Sequence, residues 1–144
     1  MLWPFRALTS LLFSADVTIL WIALGSALGG VLRYLLGTAV QTGLGEPAFP
    51  WGTWLVNVLG CAAIGLLTPV LAKGGSGSAL LIVGLLGGFT TFSAFSMQTV
   101  ELAAAGRWDL AMGYAAASLT ACLFATTAGL WCGRWLAGPG AGIA

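Results

Sequence analysis

Four stretches of about 20 mostly apolar residues, at 17–40, 51–72, 80–100 and 110–135, each have the length a helix needs to cross the hydrocarbon core of a bilayer. Between them lie short runs of helix breakers: Gly43, Gly45, Glu46 and Pro47, then Lys73 with three glycines up to Gly77, then Gly106 to Asp109. With 59% of residues hydrophobic and 6% charged, no water-exposed surface of ordinary composition can be built from the remainder. The chain therefore reads as an all-α integral membrane protein, with a four-helix domain over residues 17–136, an N-terminal extension at 1–16 and a tail at 137–144. The extension places Arg6 ahead of Leu11, Leu12 and Phe13 and weakly imitates a signal peptide, but Pro4 interrupts it and Phe13 suits a small-residue cleavage site badly. It is expected to be retained and to lie at the interface.

Several function classes fall away. Five Lys or Arg against four Asp or Glu, scattered along the chain, give a formal net charge of +1 and no basic patch for nucleic acid. His is absent, and Cys61, Cys122 and Cys132 lie far apart in the sequence without the close pairing of a zinc or redox motif, so they read as small apolar helix residues. No Ser or Cys has an adjacent base, which excludes a nucleophilic enzyme site. No Asp or Glu lies in the middle of a span, which argues against proton-coupled transport and against a carboxylate ring selecting cations.

Four spans put both termini on one side of the membrane. That face carries Arg6, Lys73 and Arg134 and the other carries Arg33 and Arg107, three against two, so the positive charges scarcely fix an orientation. Insertion in both directions would allow an antiparallel homodimer; a weakly oriented subunit fits the same count.

The third span combines Gly84, Gly87 and Gly88 with Thr90, Thr91, Ser93 and Ser96 at mid-membrane depth. A break at Gly87 and Gly88 is expected, and the membrane tolerates freed backbone groups only where they face protein, an ion or a wet cavity. Close packing through small residues is the plainer alternative. Phe92 and Phe95 share a helix face, with Ser96 one turn beyond Phe92. Aromatic rings have a positive edge, so ring edges beside hydroxyls can hold a small anion without a full counter-charge. Loose binding of that kind suits conduction.

Asn57 lies on the second-span stripe of Gly52, Thr53, Val56, Gly60 and Cys61, where its amide is either glue between helices or an anion ligand. Arg33, the only charge well inside a span, needs a snorkelling path or a polar partner. Tyr114, Ser118, Cys122 and Thr126 recur every four residues along the fourth span, a stripe that is helix glue or a wet path.

With GGVLRY at 29–34, WGTWLVNVLG at 51–60 and GLLGGFTTFSAFS at 84–96, the chain resembles the Fluc or CrcB family of bacterial fluoride channels over residues 19–136. The resemblance implies an antiparallel, dual-topology homodimer in the bacterial inner membrane that exports fluoride passively and relieves its toxicity. It implies that Phe92 and Phe95 line the fluoride pathway with Ser93 and Ser96 nearby, that Asn57 helps coordinate the ion, and that Arg33 stands near the vestibule. Tyr114 and Ser118 match a polar track in the fourth helix, and Gly87 and Thr90 fall at a central break in the third helix, whose carbonyls hold a structural Na⁺ between subunits. Three positions depart from the family pattern: Ala94 lacks a common hydroxyl, Gln98 stands where many members carry Glu, and Cys122 replaces a track serine. A small dual-topology multidrug exporter is similar in size but relies on a first-span glutamate that this chain lacks. A non-conducting helical subunit would leave Asn57 and the phenylalanine and hydroxyl stripe without a purpose.

Overall fold

The computed structural model describes residues 3–71 and 75–138, with side chains from residue 17 onward. Lys73 and most of the C-terminal tail lie outside the described residues. The architecture is all-helical among the described residues: α1 (Trp3–Gly43), α2 (Trp51–Val70), a third span from Ser76 to Ala104, and α6 (Trp108–Ala137). The third span is composite. It comprises α3 (Ser76–Ser78), a π-helical stretch (Ala79–Leu86), α4 (Gly87–Phe89) and α5 (Phe92–Ala104), with Thr90 and Thr91 extended between the last two. Four helices are thus long and apolar enough to cross a membrane, at 17–43, 51–70, 76–104 and 108–137. The first runs three residues past the boundary expected from sequence because its apolar pattern does not mark where the helix ends; the turn chemistry does.

That chemistry is the same at both short connections. Gly45 (φ 77°) and Gly106 (φ 76°) adopt the left-handed conformation that ends a helix, the N–H of Glu46 and of Arg107 reaching back to the carbonyls of Gln41 and Leu102 at 2.9 Å each. The Gln41 side chain then spans the first connection, donating to the Pro47 carbonyl (2.7 Å) and accepting from the Gly52 N–H (3.1 Å) at the start of α2. One amide closes a loop and caps the next helix.

The chain is built with its large apolar side chains outward. Trp131 and Phe124 are 75% and 77% exposed, while the largest fully buried side chains among the described residues are Tyr114 and Val56. In water this arrangement would be unstable; in lipid it removes the hydrophobic force between helices and leaves close packing to hold them. Small residues do that packing. Gly25 and Gly29 of α1 lie directly against backbone of the third span at Leu80, Gly84 and Leu85, and Gly88 lies against Ser26. Gly65 sits on the Thr126 carbonyl, Gly129 on that of Ala62 and Gly133 on that of Leu66, so α2 and α6 run parallel in close contact. A Cβ at any of these positions would collide with main chain, which cannot swing away.

Replacing Gly65 with Ala is therefore expected to cost more than about 2 kcal/mol, through overpacking that forces α2 and α6 apart. Gly113 is the control, because a Cβ there would meet nothing within 4 Å. Gly113→Ala should be neutral or stabilising by up to about 1 kcal/mol through helix propensity. Thermal unfolding midpoints of the two variants in detergent distinguish them, and equal midpoints would refute the packing argument.

Candidate functional site

The centre of the molecule is the interruption of the third span. In an uninterrupted helix the Thr91 N–H would close onto the carbonyl of Gly87. Instead it donates to Asn57 Oδ1 at 2.7 Å, and Asn57 Nδ2 donates to the Thr91 carbonyl at 3.0 Å. A single amide on α2 thus satisfies both backbone groups of one extended residue. Thr91 (φ −149°, ψ 118°) is also the N-cap of α5, its hydroxyl accepting from the Ala94 N–H at 3.1 Å. Room for the break comes from Gly60, one turn from Asn57 on the same face of α2, where a Cβ would strike the methyl of Thr90.

The interruption lies three residues beyond the glycines at which the sequence predicts it. Gly87 and Gly88 remain helical because nothing competes for their geometry, whereas at Thr91 the Asn57 amide and the N-cap hydroxyl both favour extended backbone. Gly87 is nonetheless affected, since diversion of the Thr91 amide leaves its carbonyl without the usual intrahelical donor. The Thr90 hydroxyl does not compensate, being bonded to the Leu86 carbonyl at 2.9 Å.

Two cavities meet at this point. The smaller, of about 270 Å³, is lined by Asn57, Thr90, Thr91, Phe92, Phe95 and Ser118, together with Cys61, Leu119 and Cys122. Among the described residues no Asp, Glu, Lys or Arg lines it. The Phe92 and Phe95 ring centroids are 5.4 Å apart at an interplanar angle of 46°, and Phe95 is 5.3 Å from the ring of Tyr114. Ser118 Oγ is buried there with no partner among the described residues. Asn57 keeps a second N–H beyond the one it gives to Thr91. The larger cavity, of about 740 Å³, is an open groove that carries Arg33, Glu46, Gln98, Glu101 and Arg107 and also borders Thr91. Arg33 Nε is buried there without a partner among the described residues.

The structure therefore brings Asn57, Phe92, Phe95, Ser118 and Thr90 together. Tyr114 stands behind them, fully buried, its hydroxyl donating to Gln98 Oε1 at 3.0 Å. Arg33 belongs to the larger cavity, on the far side of Thr91. Ser93 and Ser96 border neither cavity: Ser93 pairs with the Thr91 hydroxyl at 3.1 Å, and Ser96 returns a bond to the Phe92 carbonyl at 2.9 Å. Thr91 is a site residue that the sequence motifs do not single out, although a threonine three residues before Ala94 in a run opening a helix carries an N-cap signal. Cys61 and Cys122, separate apolar residues by sequence, are brought together as well. Parallel packing of α2 and α6 makes their thiols neighbours in the smaller cavity.

Asn57→Leu keeps the bulk and strips both bonds to Thr91, leaving two backbone groups unsatisfied away from water. At about 1–3 kcal/mol for each group the expected loss is about 2–6 kcal/mol, with loss of hydrogen-exchange protection at the Thr91 amide. Ser96→Ala removes only a bond within its own helix and should change stability by less than about 0.5 kcal/mol. Unaltered protection of Thr91 in the Leu variant would show that the break is held by something else.

A family model described as CrcB-like protein, Camphor Resistance (CrcB), matches residues 20–130, reaching from the first span into the fourth. The fluoride-specific ion channel FluC of Allorhizobium ampelinum is 48% identical over 122 residues, covering 82% of this chain and 97% of its own length. The fluoride-specific ion channel FluC of Magnetococcus marinus is 46% identical over 120 residues (81% and 97%), and that of Chloroflexus aurantiacus is 42% identical over 124 residues (83% and 98%). The family model covers well over half of the chain and the relatives align along nearly their whole lengths, so this protein belongs to the CrcB family.

Proposed function

We propose that this multi-pass bacterial membrane protein is a fluoride-selective channel, not an enzyme, and that it releases fluoride passively from the cytoplasm across the inner membrane. The observation that carries the reading is the smaller cavity: two phenylalanine rings, one buried unpartnered hydroxyl and a spare amide N–H converge at mid-membrane depth with no Asp, Glu, Lys or Arg among them. Positive ring edges and neutral donors attract a small anion without trapping it. Fluoride enters cells as its neutral acid and dissociates inside, so a membrane potential negative inside drives the anion outward with no other energy source. Phe92, Phe95, Asn57 and Ser118 form the passage in this reading, with Tyr114 holding Phe95 from behind and Arg33 drawing anions into the larger cavity. Ser93 and Ser96 act at most by shaping the turn that carries the rings.

The working form is an antiparallel homodimer. Phe92 is 78% exposed on the single chain, and Met97 and Val100 of the same helix are 61% and 63% exposed, so the passage acquires a complete wall only against a second surface. Gly87 is exposed close by, its carbonyl deprived of the Thr91 N–H that an unbroken helix would supply. Carbonyl oxygens of this kind suit a hard cation, and among the described residues no group of three or more Asp, Glu, Cys or His forms a side-chain metal site. Gly87 and Thr90 of two chains would hold a structural Na⁺ on the dimer axis, supplying positive charge near the anion route.

Fluoride release from liposomes containing the purified protein should require only an ionophore that balances charge, with no parallel release of chloride. Phe92→Ile and Phe95→Ile should each slow it about 10-fold or more, since ring-edge contacts worth about 1–1.5 kcal/mol are removed while the bulk remains. A strict dependence on a proton gradient would overturn the channel reading, and unchanged flux in both variants would reduce the rings to packing.

Replacing Na⁺ with N-methylglucamine tests the metal separately. Flux should fall or the dimer should loosen, whereas unchanged flux and assembly in rigorously Na⁺-free buffer would refute the site.

A further inference from the structure

Cys61 lies one turn beyond Asn57 on α2, and Cys122 one turn beyond Ser118 on α6. Both line the smaller cavity, and their thiols are neighbours. Close contact between Gly65 and Thr126, each four residues further on, fixes their spacing from behind. Neither cysteine is in a disulfide, and both are partly buried. We propose that Cys61 and Cys122 form a two-thiolate binding site for a soft divalent cation in the wall of this cavity.

The chemistry restricts the ligand. Thiolate is a soft donor that selects soft metals over the hard cations that prefer oxygen. Among the described residues no third Cys, His, Asp or Glu joins the pair, so a tetrahedral zinc site cannot be completed. A d¹⁰ cation that accepts two donors in line needs nothing further. Charge then decides between monovalent and divalent ions. Two thiols bind a divalent ion by losing both protons to solvent, and the resulting thiolate–metal–thiolate unit is neutral, whereas a monovalent ion would leave a net negative charge that no Lys or Arg among the described residues lines the cavity to offset. The mercuric ion has this combination of softness, charge and two-coordination. Bound there, it occupies the space beside Asn57, Phe95 and Ser118 and closes the passage. Closure rests on the channel reading; binding does not.

The test uses Cys132→Ser protein, which removes the exposed third thiol. After exposure to mercuric ion and washing with a monothiol competitor, this protein should retain one mercury per chain and lose both reactive thiols. Adding Cys61→Ser or Cys122→Ser leaves a single thiolate, and retention should drop about 100-fold or more as the chelate advantage disappears. In liposomes, mercuric ion should block fluoride release by the Cys132→Ser protein and leave each doubly substituted protein at its own untreated rate. Equal retention by the single-thiol proteins would overturn the paired site, and full flux with mercury bound would overturn closure. Absence of fluoride release before any metal is added would count against the channel reading alone, because retention is measured without it.

Discussion

The bidentate pairing of the Asn57 amide with the backbone of Thr91 is the contact on which the centre of this protein depends. A membrane interior offers no water to an interrupted helix, so each freed N–H or carbonyl must find a donor or acceptor within the protein. Asn is suited to this task because its side chain is an amide like that of the main chain, with an acceptor oxygen and an NH₂ donor group held in one plane. Meeting both needs of Thr91 at 2.7 and 3.0 Å, it lets the third span change direction without leaving that residue unsatisfied. α5 starts at the break, and its Phe92 and Phe95 line the smaller cavity together with Asn57.

Glycine packing supplies the rigidity this pairing needs. α1 grips the first half of the third span through Gly25 and Gly29, while α2 grips α6 through Gly65, Gly129 and Gly133. The first half of the third span is thus held by one helix pair, and Asn57 and Ser118 belong to the other. Gly60 joins the two by accepting the Thr90 methyl. Because these contacts are backbone against backbone, they have little freedom to relax, and the two pairs hold the interruption at Thr90 and Thr91 between them.

Much of this was legible in the sequence. The four spans follow from hydrophobic length alone, and the interrupted third span follows from hydroxyls and glycines at a depth where neither is ordinary. The position of the break was not legible, because glycine marks where a helix is permitted to fail, while the failure itself is dictated by a partner on another helix. Asn57 was visible as a buried amide with two possible roles, and only its distance to Thr91 shows that the structural role uses one of its two N–H groups and leaves the other. The neighbouring thiols were equally hidden, since residues 61 positions apart meet only through the parallel register of α2 and α6. The resemblance puts Ser93 and Ser96 near the fluoride pathway, and in the structure their hydroxyls bond locally, Ser93 with the Thr91 hydroxyl and Ser96 to the Phe92 carbonyl.

The separation of charge from the narrow site bears on how an anion could cross. A guanidinium about 4 Å from an anion contributes about 4 kcal/mol of attraction at the effective dielectric of a protein surface, and more where water is excluded. Placed beside the phenylalanine rings, Arg33 would hold the ion too long for conduction. Instead it lies in the larger cavity, which Glu46 and Glu101 also line. Beyond the Asn57–Thr91 clasp the ion would meet only ring edges, a hydroxyl and an amide N–H, each contributing a fraction of a full charge. In the proposed channel, attraction at the larger cavity and weak donors at the smaller one would divide capture from passage, with the Asn57–Thr91 pair of hydrogen bonds lying between them.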